Sequence, residues 1–291
     1  MSFDPRETLV RDGVADNRLQ GVLAAERYVA VAPRQLVSPF ASVLDSPATG
    51  AVQVDQILFG ECFDVLETRD GFAFGQAVRD GYAGWVATAA LSGEIVSPTH
   101  WVATPSTLAF AQPSIKAAAT APIPMNALVN VDEETDTLAR DPRIGWIPRD
   151  HLLPIGALRT DPAEAAMAFL GQPYLWGGRG GGGIDCSGLV QQALLACGLA
   201  SARDSDQQES LGTPAPPDAL RRGDLVFWKG HVAMMVDKVR MAHANAFHMA
   251  VAIEPLAAAL MRITRRGGGE PIAYRRLSLT SQTPGSRRRR P

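Results

Sequence analysis

One cysteine stands where a glycine-rich loop gives way to an amphipathic pattern, in the segment Gly183-Ile184-Asp185-Cys186-Ser187-Gly188. A thiol at the N-terminus of a helix lies at the positive end of the helix dipole, beside unpaired backbone N–H groups. We expect both to stabilise the thiolate and lower the pKa of Cys186, which would make it a nucleophile. The helix is predicted from apolar residues at helical spacing and the glycine that ends them: Leu189, Val190, Ala193, Leu194, Cys197 and Gly198.

Two histidines downstream could supply the base that a nucleophilic thiol needs. His231 opens the apolar segment Gly230–Asp237, and His243 lies in a second apolar segment, Arg240–Asn245; both patterns predict short strands. A tight hairpin would bring the two histidines side by side. In thiol catalysis one histidine takes the thiol proton and later protonates the leaving amine, while a polar group fixes its ring. The predicted catalytic residues are therefore Cys186, His231 and His243.

The other cysteines and histidines are interpreted as structural. Cys197, on the helix stripe, and Cys62, in a strand-like segment, fit small core residues. His100, His151 and His248 lack a comparable partner and are interpreted as surface or structural residues. Zinc is the main alternative for a set of cysteines and histidines, but the chain has no Cys-x-x-Cys or His-x-x-x-His spacing. We expect no metal and no cofactor.

The motifs that surround these residues resemble the NlpC family. Pro-Tyr-Leu-Trp-Gly-Gly at 173–178, Asp-Cys-Ser-Gly at 185–188, Arg-Gly-Asp-Leu-Val-Phe at 222–227, and then His231 and His243-Ala244 follow in the order and spacing of that family. Its members are papain-like cysteine peptidases that cut bacterial cell-wall peptides. The resemblance implies an α+β fold, in which a papain-like cysteine peptidase domain is preceded by two small SH3-like β-barrels.

The first half of the chain has the pattern of paired small β-domains. Short strand-like segments end in Gly-Trp-aliphatic runs at Gly84-Trp85-Val86 and again at Gly145-Trp146-Ile147, which predicts two copies of one barrel. These copies resemble bacterial SH3-like domains. The predicted organisation is an arm or helix packed on a barrel at 1–35, a first barrel at 36–97, a second at 98–156, the catalytic domain at 157–281 and a basic tail at 282–291.

Composition restricts the partners and the compartment that we expect. A hydrophobic content of 46% and a charged content of 20% are those of a globular protein, and a net charge of −2 argues against nucleic acid or a membrane surface. The three cysteines lack a framework spacing, and no secretory signal is visible, so we expect a cytoplasmic protein. The Arg287–Arg290 run could bind a polyanion but fits a solvated tail better. The oligomeric state stays open.

The expected compartment points to one branch of the family. This chain resembles the recycling branch, which looks like γ-D-glutamyl-L-diamino acid endopeptidases that act on murein peptides with a free N-terminal L-alanine and release L-Ala-D-Glu. Recognition of the substrate ammonium requires carboxylates near the cleft. The resemblance implies that substrate is bound by the following residues, with Tyr174 beside the nucleophile: Asp185, Ser187, Trp176, Ser205, Glu61 and Tyr82.

Three alternatives remain. The barrels could bind wall polymer, which would make the chain a murein hydrolase acting on intact peptidoglycan. The same fold could also carry an amidase or a lipid acyltransferase, since fold does not fix substrate. A non-catalytic wall- or peptide-binding protein would use the barrels without an activated thiol. The preferred diamino acid is not predicted.

Overall fold

A computed structural model describes residues 3–278 of the chain. The predicted basic tail at 282–291 and the last residues of the predicted catalytic domain lie outside the described residues. The described part contains four α-helices: α1 (Pro162–Met167), α2 (Cys186–Ala196), α3 (Ser205–Gln208) and α4 (Leu256–Arg265). Within it, no helix is both long and apolar enough to span a lipid bilayer.

The sequence predicted either an arm or a helix at 1–35. The structure shows an arm made of short strands and a single 3-10 turn, Asn17–Leu19. It contains β1 (Val10–Arg11), β2 (Val14–Asp16) and β3 (Arg27–Val29). The arm packs on the barrel that follows, because Leu9 is buried against Phe74 and Trp85. The backbone carbonyl of Arg6 also accepts the N–H of Ala83 of that barrel at 2.7 Å.

A seven-stranded antiparallel sheet follows the arm and closes around its own apolar core. Its strand order is β10-β4-β7-β8-β9-β5-β6. Alternate residues, such as Val43, Ile57 and Phe63, point into the core. The strands are β4 (Ala32–Leu36), β5 (Phe40–Leu44), β6 (Gln53–Leu58), β7 (Cys62–Arg69), β8 (Phe72–Ala77), β9 (Ala83–Ala87) and β10 (Leu91–Ser92).

The next segment repeats the end of that sheet. In both segments a Gly-Trp strand runs into a 3-10 helix and then a short strand: Thr88–Ala90 joins β9 to β10, and Arg149–His151 joins β17 to β18. Two three-stranded sheets and one two-stranded sheet make up the segment. The strands are β11 (His100–Val102), β12 (Ser106–Thr107), β13 (Ile123–Pro124), β14 (Leu128–Val129), β15 (Glu133–Glu134), β16 (Leu138–Asp141), β17 (Gly145–Pro148) and β18 (Leu152–Pro154).

The C-terminal domain is a six-stranded antiparallel sheet between helices, in the order β19-β24-β20-β21-β22-β23. The strands alternate their faces: Phe227 and Val232 pack with α2, whereas Trp228 and Ala233 pack with α4. The strands are β19 (Thr213–Pro214), β20 (Leu225–Trp228), β21 (His231–Met235), β22 (Arg240–Asn245), β23 (Ala250–Pro255) and β24 (Ala273–Arg276).

Helix α2 is buried on nearly every side, which the one-sided stripe in the sequence does not predict. The barrels cover the side that faces away from the sheet. Gln191 donates a hydrogen bond to Asp80 at 3.0 Å, and Asn126 donates one to the backbone carbonyl of Gln192 at 3.0 Å. The helix that begins at Cys186 is thus held by all three folded units.

Candidate active site

Cys186 is the first residue of α2, as predicted. The side chain of Asp185 caps the helix by accepting the N–H of Gly188 at 2.7 Å. Gly188 allows a close approach here, since a Cβ at this position would lie 2.2 Å from the carbonyl oxygen of Gly178. Cys186 and Val232 belong to the same buried cluster, which places the start of α2 against β21.

The two predicted histidines are neighbours on adjacent antiparallel strands. Nε2 of His231 lies 2.9 Å from Nδ1 of His243, which confirms the expected hairpin contact. Nε2 of His243 lies 2.8 Å from a carboxylate oxygen of Glu254 on β23. Because that carboxylate accepts, His243 carries its proton on Nε2 and accepts through Nδ1 from His231. Nδ1 of His231 is then the unprotonated nitrogen, free to act as a base.

Glu254 ends this chain of hydrogen bonds, and it is not among the residues predicted from the sequence. Its carboxylate also pairs with the guanidinium of Arg262 on α4. The position of Glu254 follows from the pairing of β22 with a third strand, β23. In that ladder His243 is opposite Ala252, so Glu254, two residues further along β23, lies diagonally across from His243 on the same face of the sheet. An acidic residue at that spacing could have been identified once the third strand was predicted.

Burial disfavours the charged forms of both the thiol and the base. It raises the pKa of Cys186 to about 12, and the carboxylate of Asp185 adds to this effect. Burial lowers the pKa of His231 to about 3, and His243 and Arg262 act in the same direction. The expected decrease in the pKa of the thiol is therefore wrong for this state, because desolvation exceeds the stabilisation from the helix N-terminus.

Among residues 3–278, no hydrogen bond joins the sulfur of Cys186 to the ring of His231, whose Nε2 is hydrogen-bonded to His243. Hydrogen bonds between catalytic groups are often long without substrate and shorten when substrate binds. The arrangement supports one chemistry: transfer of the thiol proton to Nδ1 of His231 as the sulfur attacks an electrophile.

Asp185 is fully engaged by the protein. Beyond its bond to Gly188, it accepts the N–H of Gly177 at 2.8 Å and two hydrogen bonds from Arg203 at 2.7 and 3.0 Å. Arg203 also donates to the hydroxyl of Ser187 at 3.0 Å. Asp185 thus fixes the glycine-rich loop to the start of α2, and Arg203 neutralises its charge.

A cleft of about 400 Å³ opens beside Cys186. Tyr174, Trp176, Asp185, Ser187, Ser205 and Tyr82 all line it, so six of the seven residues named for substrate contact or proximity to the nucleophile are together. Tyr82 comes from the first barrel and donates a hydrogen bond to Asp204 at 3.2 Å. Trp176 remains 62% exposed at the rim.

Glu61 does not line this cleft, and its predicted place in it is wrong. The side chain is 1% exposed and pairs with Arg179 at 2.9 Å and Arg79 at 2.8 Å. Arg179 belongs to the glycine-rich loop before α2, and its buried guanidinium needs a carboxylate partner. Glu61 therefore anchors the first barrel to that loop rather than facing a substrate.

Other acidic residues take the place in the cleft that was expected for Glu61. Asp204 and Asp206 lie at the N-terminal end of α3 and flank Ser205. Arg6, from the N-terminal arm, donates to Asp204 at 2.8 Å and to Asp206 at 2.8 and 2.9 Å. An Asp-Ser-Asp triplet was visible in the sequence, but nothing local indicated that the arm would reach it.

Three potential metal ligands, from His243, His248 and Glu254, have donor atoms within 4.8 Å of one another. Both ring nitrogens of His243 are already in hydrogen bonds, and Glu254 is paired with Arg262. A cation would have to break these contacts and lie next to a guanidinium. The residues present therefore fit a hydrogen-bonded catalytic pair better than a metal centre.

A buried thiol at a helix N-terminus, next to a histidine pair on an antiparallel sheet, defines a papain-like cysteine peptidase site. Residues 171–264 match the NlpC/P60 family, and residues 43–91 match the bacterial dipeptidyl-peptidase Sh3 domain. The chain contains an NlpC/P60 domain, of the cysteine-peptidase class, and a bacterial dipeptidyl-peptidase SH3 domain. The resemblance to the NlpC family and to a bacterial SH3-like domain is confirmed.

Curated relatives align with about a third of the chain. It is 35% identical over 99 residues to dipeptidyl-peptidase 6 of Lysinibacillus sphaericus, covering 33% of this chain and 36% of that protein. It is 38% identical over 92 residues to a γ-D-glutamyl-L-lysine dipeptidyl-peptidase of Bacillus subtilis, covering 29% of this chain and 31% of that protein. The aligned part thus spans about a third of these relatives.

A solved structure confirms the fold over most of the chain. An NlpC/P60 family protein from Bacillus cereus superposes with a TM-score of 0.70 at 22% identity, covering 84% of this chain and 99% of that one. At this identity the likeness concerns the fold. The predicted α+β class, with a papain-like domain after an SH3-like strand region, is confirmed.

Proposed function

We propose that the protein is a cysteine endopeptidase that hydrolyses the γ-D-glutamyl-diamino acid bond of murein peptides with a free N-terminal L-alanine, releasing L-Ala-D-Glu. One observation carries the proposal: the arm and the first barrel supply Arg6 and Tyr82 to the cleft that holds the thiol. A cleft bounded in this way suits a short peptide end better than a continuous polymer. The names of the curated relatives support the same substrate class.

The reaction follows from the tautomers in the histidine chain. Nδ1 of His231 takes the thiol proton as the sulfur of Cys186 attacks the γ-carbonyl carbon of D-glutamate. The N–H of Cys186 has no partner within its own helix, as it belongs to the first residue of α2, and can donate to the developing oxyanion. Protonated His231 then gives its proton to the diamino acid nitrogen, and the C–N bond breaks.

The second half of the reaction uses the same residues. The first half leaves L-Ala-γ-D-Glu bound to Cys186 as a thioester. Neutral His231 takes a proton from water, and the hydroxide attacks the thioester carbonyl carbon. The C–S bond breaks and the thiolate recovers its proton from His231. The hydrogen bond from His231 to His243, and from there to Glu254, keeps the ring oriented through both halves.

The acidic residues of the cleft support recognition of a free ammonium group. Asp204 and Asp206 hold the guanidinium of Arg6 on the cleft wall, and Tyr82 donates to Asp204. We infer that the ammonium of the N-terminal L-alanine binds these carboxylates beside or in place of Arg6. Asp185, which the sequence also suggested, has its charge neutralised by Arg203.

The test compares three substrates with the wild-type protein: L-Ala-γ-D-Glu-diaminopimelate, its N-acetylated form and intact murein, with products identified by mass. Removing the ammonium should reduce kcat/KM about tenfold, the value for one charge-assisted hydrogen bond to a partly exposed carboxylate. D206N should reduce the difference in kcat/KM between the free and the acetylated peptide. D218N, at an aspartate outside the cleft, should leave that difference unchanged. Equal hydrolysis of both peptides would contradict the free-amine specificity, and release from intact murein would favour the wall-hydrolase alternative.

A cytosolic site of action is part of the proposal, since short murein peptides are met there. In keeping with a reducing compartment, all three cysteines are free thiols. Titration of three thiols in protein recovered from the cytosolic fraction would agree with this. Recovery of a disulfide-bonded form from outside the cytosol would contradict it.

A further inference from the structure

A second cavity lies on the other side of the catalytic histidines. It has a volume of about 280 Å³ and is lined by His231, His243, Phe247, Arg262, Arg266 and Lys229 among others. Lys229 also lines the cleft that holds Cys186, so the two cavities adjoin at the turn before His231. A chain passing the thiol and His231 would therefore enter the second cavity, which we call the basic cavity.

The charges of the basic cavity are positive and only partly neutralised. Arg262 is paired with Glu254. Arg266 and Lys229 form no ion pair with any carboxylate within residues 3–278. Arg262 and Arg266 both lie over the ring of Phe247, with guanidinium carbons 4.4 and 4.6 Å from its centre. This stacking holds two cations in place beside a half-exposed aromatic ring.

The direction of the reaction indicates which part of a substrate reaches this cavity. His231 must protonate the leaving amine, so the leaving group lies on the His231 side of the scissile bond. The residue after the scissile bond would therefore extend towards Lys229 and Arg266. Cations held on an apolar surface recognise an anion, and guanidinium groups are suited to carboxylates in particular.

We infer that the basic cavity binds a carboxylate on the diamino acid, and hence that the enzyme prefers diaminopimelate to lysine. This inference rests on the proposed function. The two diamino acids share the side-chain amine, but diaminopimelate carries a second carboxylate beside it. The bare ammonium of lysine would meet Lys229 and Arg266 without a compensating negative charge.

The experiment uses two substrates that differ only in that charge: L-Ala-γ-D-Glu-meso-diaminopimelate with the distal carboxylate free, and the same peptide with it amidated. Wild-type kcat/KM should be about tenfold higher for the free form, the value for one charge-assisted hydrogen bond at a partly exposed site. R266Q should bring the ratio of the two rates close to one, and R266K should retain most of it. R265Q, which removes the neighbouring exposed cation outside the cavity, should leave the ratio unchanged.

The outcomes separate the two levels of the proposal. Hydrolysis of neither peptide overturns the proposed function and the subsite with it. Equal hydrolysis of both by the wild type overturns the subsite alone, as does an R266Q enzyme that keeps the wild-type ratio. A fall in both rates with the ratio retained would assign Arg266 to packing on Phe247 rather than to binding.

Discussion

Two buried regions meet at the start of α2, and they hold polar groups in opposite ways. In the catalytic centre, burial disfavours the charged forms of Cys186, His231 and His243, and the chain of hydrogen bonds from His231 ends in the carboxylate of Glu254. The contact between the first barrel and the glycine-rich loop consists of charges. Arg179 is 0% exposed and pairs with Glu61 at 2.9 Å and Asp80 at 3.6 Å.

The difference follows from what each region must do. A catalytic thiol and its base must exchange a proton. A strong ion pair with either group would stabilise one protonation state and oppose that exchange. A contact between domains needs a unique geometry, and buried ion pairs with several hydrogen bonds can supply it. Arg203 joins the two regions, because it pairs with Asp55 of the barrel and with Asp185 beside the nucleophile.

The nucleophile should have the largest effect. Cys186→Ser keeps the shape of the site but replaces sulfur by a much weaker nucleophile, so peptide hydrolysis should fall by on the order of 10⁴-fold or more. The unfolding midpoint should stay close to that of the wild type. Kinetics with the free-amine peptide and thermal unfolding of both proteins measure the two quantities. A serine variant with near wild-type turnover would remove Cys186 from the mechanism.

The orienting histidine comes next. His243→Ala removes the partner of Nε2 of His231 without removing the base, and should cost about 10² to 10⁴ in kcat, by analogy with the orienting members of catalytic triads. Glu254→Gln keeps a hydrogen-bond acceptor and should cost less. Full activity of the His243→Ala enzyme would show that another group orients His231.

The charged contact should affect stability rather than chemistry. Glu61→Gln leaves the guanidinium of Arg179 buried without its full partner, which should cost about 3 to 5 kcal/mol of unfolding free energy. D206N, at a carboxylate whose side chain is 59% exposed, should cost less than about 1 kcal/mol. Denaturant unfolding of both variants measures the difference. If Glu61→Gln were as stable as the wild type but lost discrimination against acetylated peptide, Glu61 would be a substrate residue after all.

The catalytic elements could be predicted because their signals are local. The helix from Cys186 and the two histidine strands each follow from short runs of apolar residues bounded by glycine or charge, and all three are present. The family resemblance rests on the same continuous segments. Geometry inside one helix or one hairpin depends on residues close in sequence, so the sequence contains most of what determines it.

The charged contacts could not be predicted because they join distant parts of the chain. Arg6 reaches Asp204 across 198 positions, and Arg179 reaches Glu61 across 118. Which carboxylate faces the cleft depends on how the barrel packs against the catalytic domain. Patterns among neighbouring residues in the sequence do not predict this packing. The pKa of the thiol was mispredicted for a related reason, since helix position can be read from the sequence and depth of burial cannot.

The pH dependence should show the smallest effect, and it tests the neutral state of the catalytic centre. A base with the ordinary histidine pKa of about 6.5 would be roughly 97% protonated at pH 5, and the rate would fall about thirtyfold from its plateau. Burial lowers the pKa of His231 to about 3, so the base should stay unprotonated and kcat/KM should change less than about twofold between pH 7 and pH 5. On the alkaline side, the thiol has its pKa raised to about 12, so no loss is expected up to about pH 9. A thiolate-imidazolium pair would instead lose activity as the imidazolium gives up its proton on that side.

Circular dichroism over the same range separates titration from unfolding, and alkylation of Cys186 by iodoacetamide without substrate should be slow near neutral pH. An alkaline limb below pH 9 together with fast alkylation at pH 7 would show that the catalytic centre is charged like the barrel contact, and the contrast between the two regions would not hold.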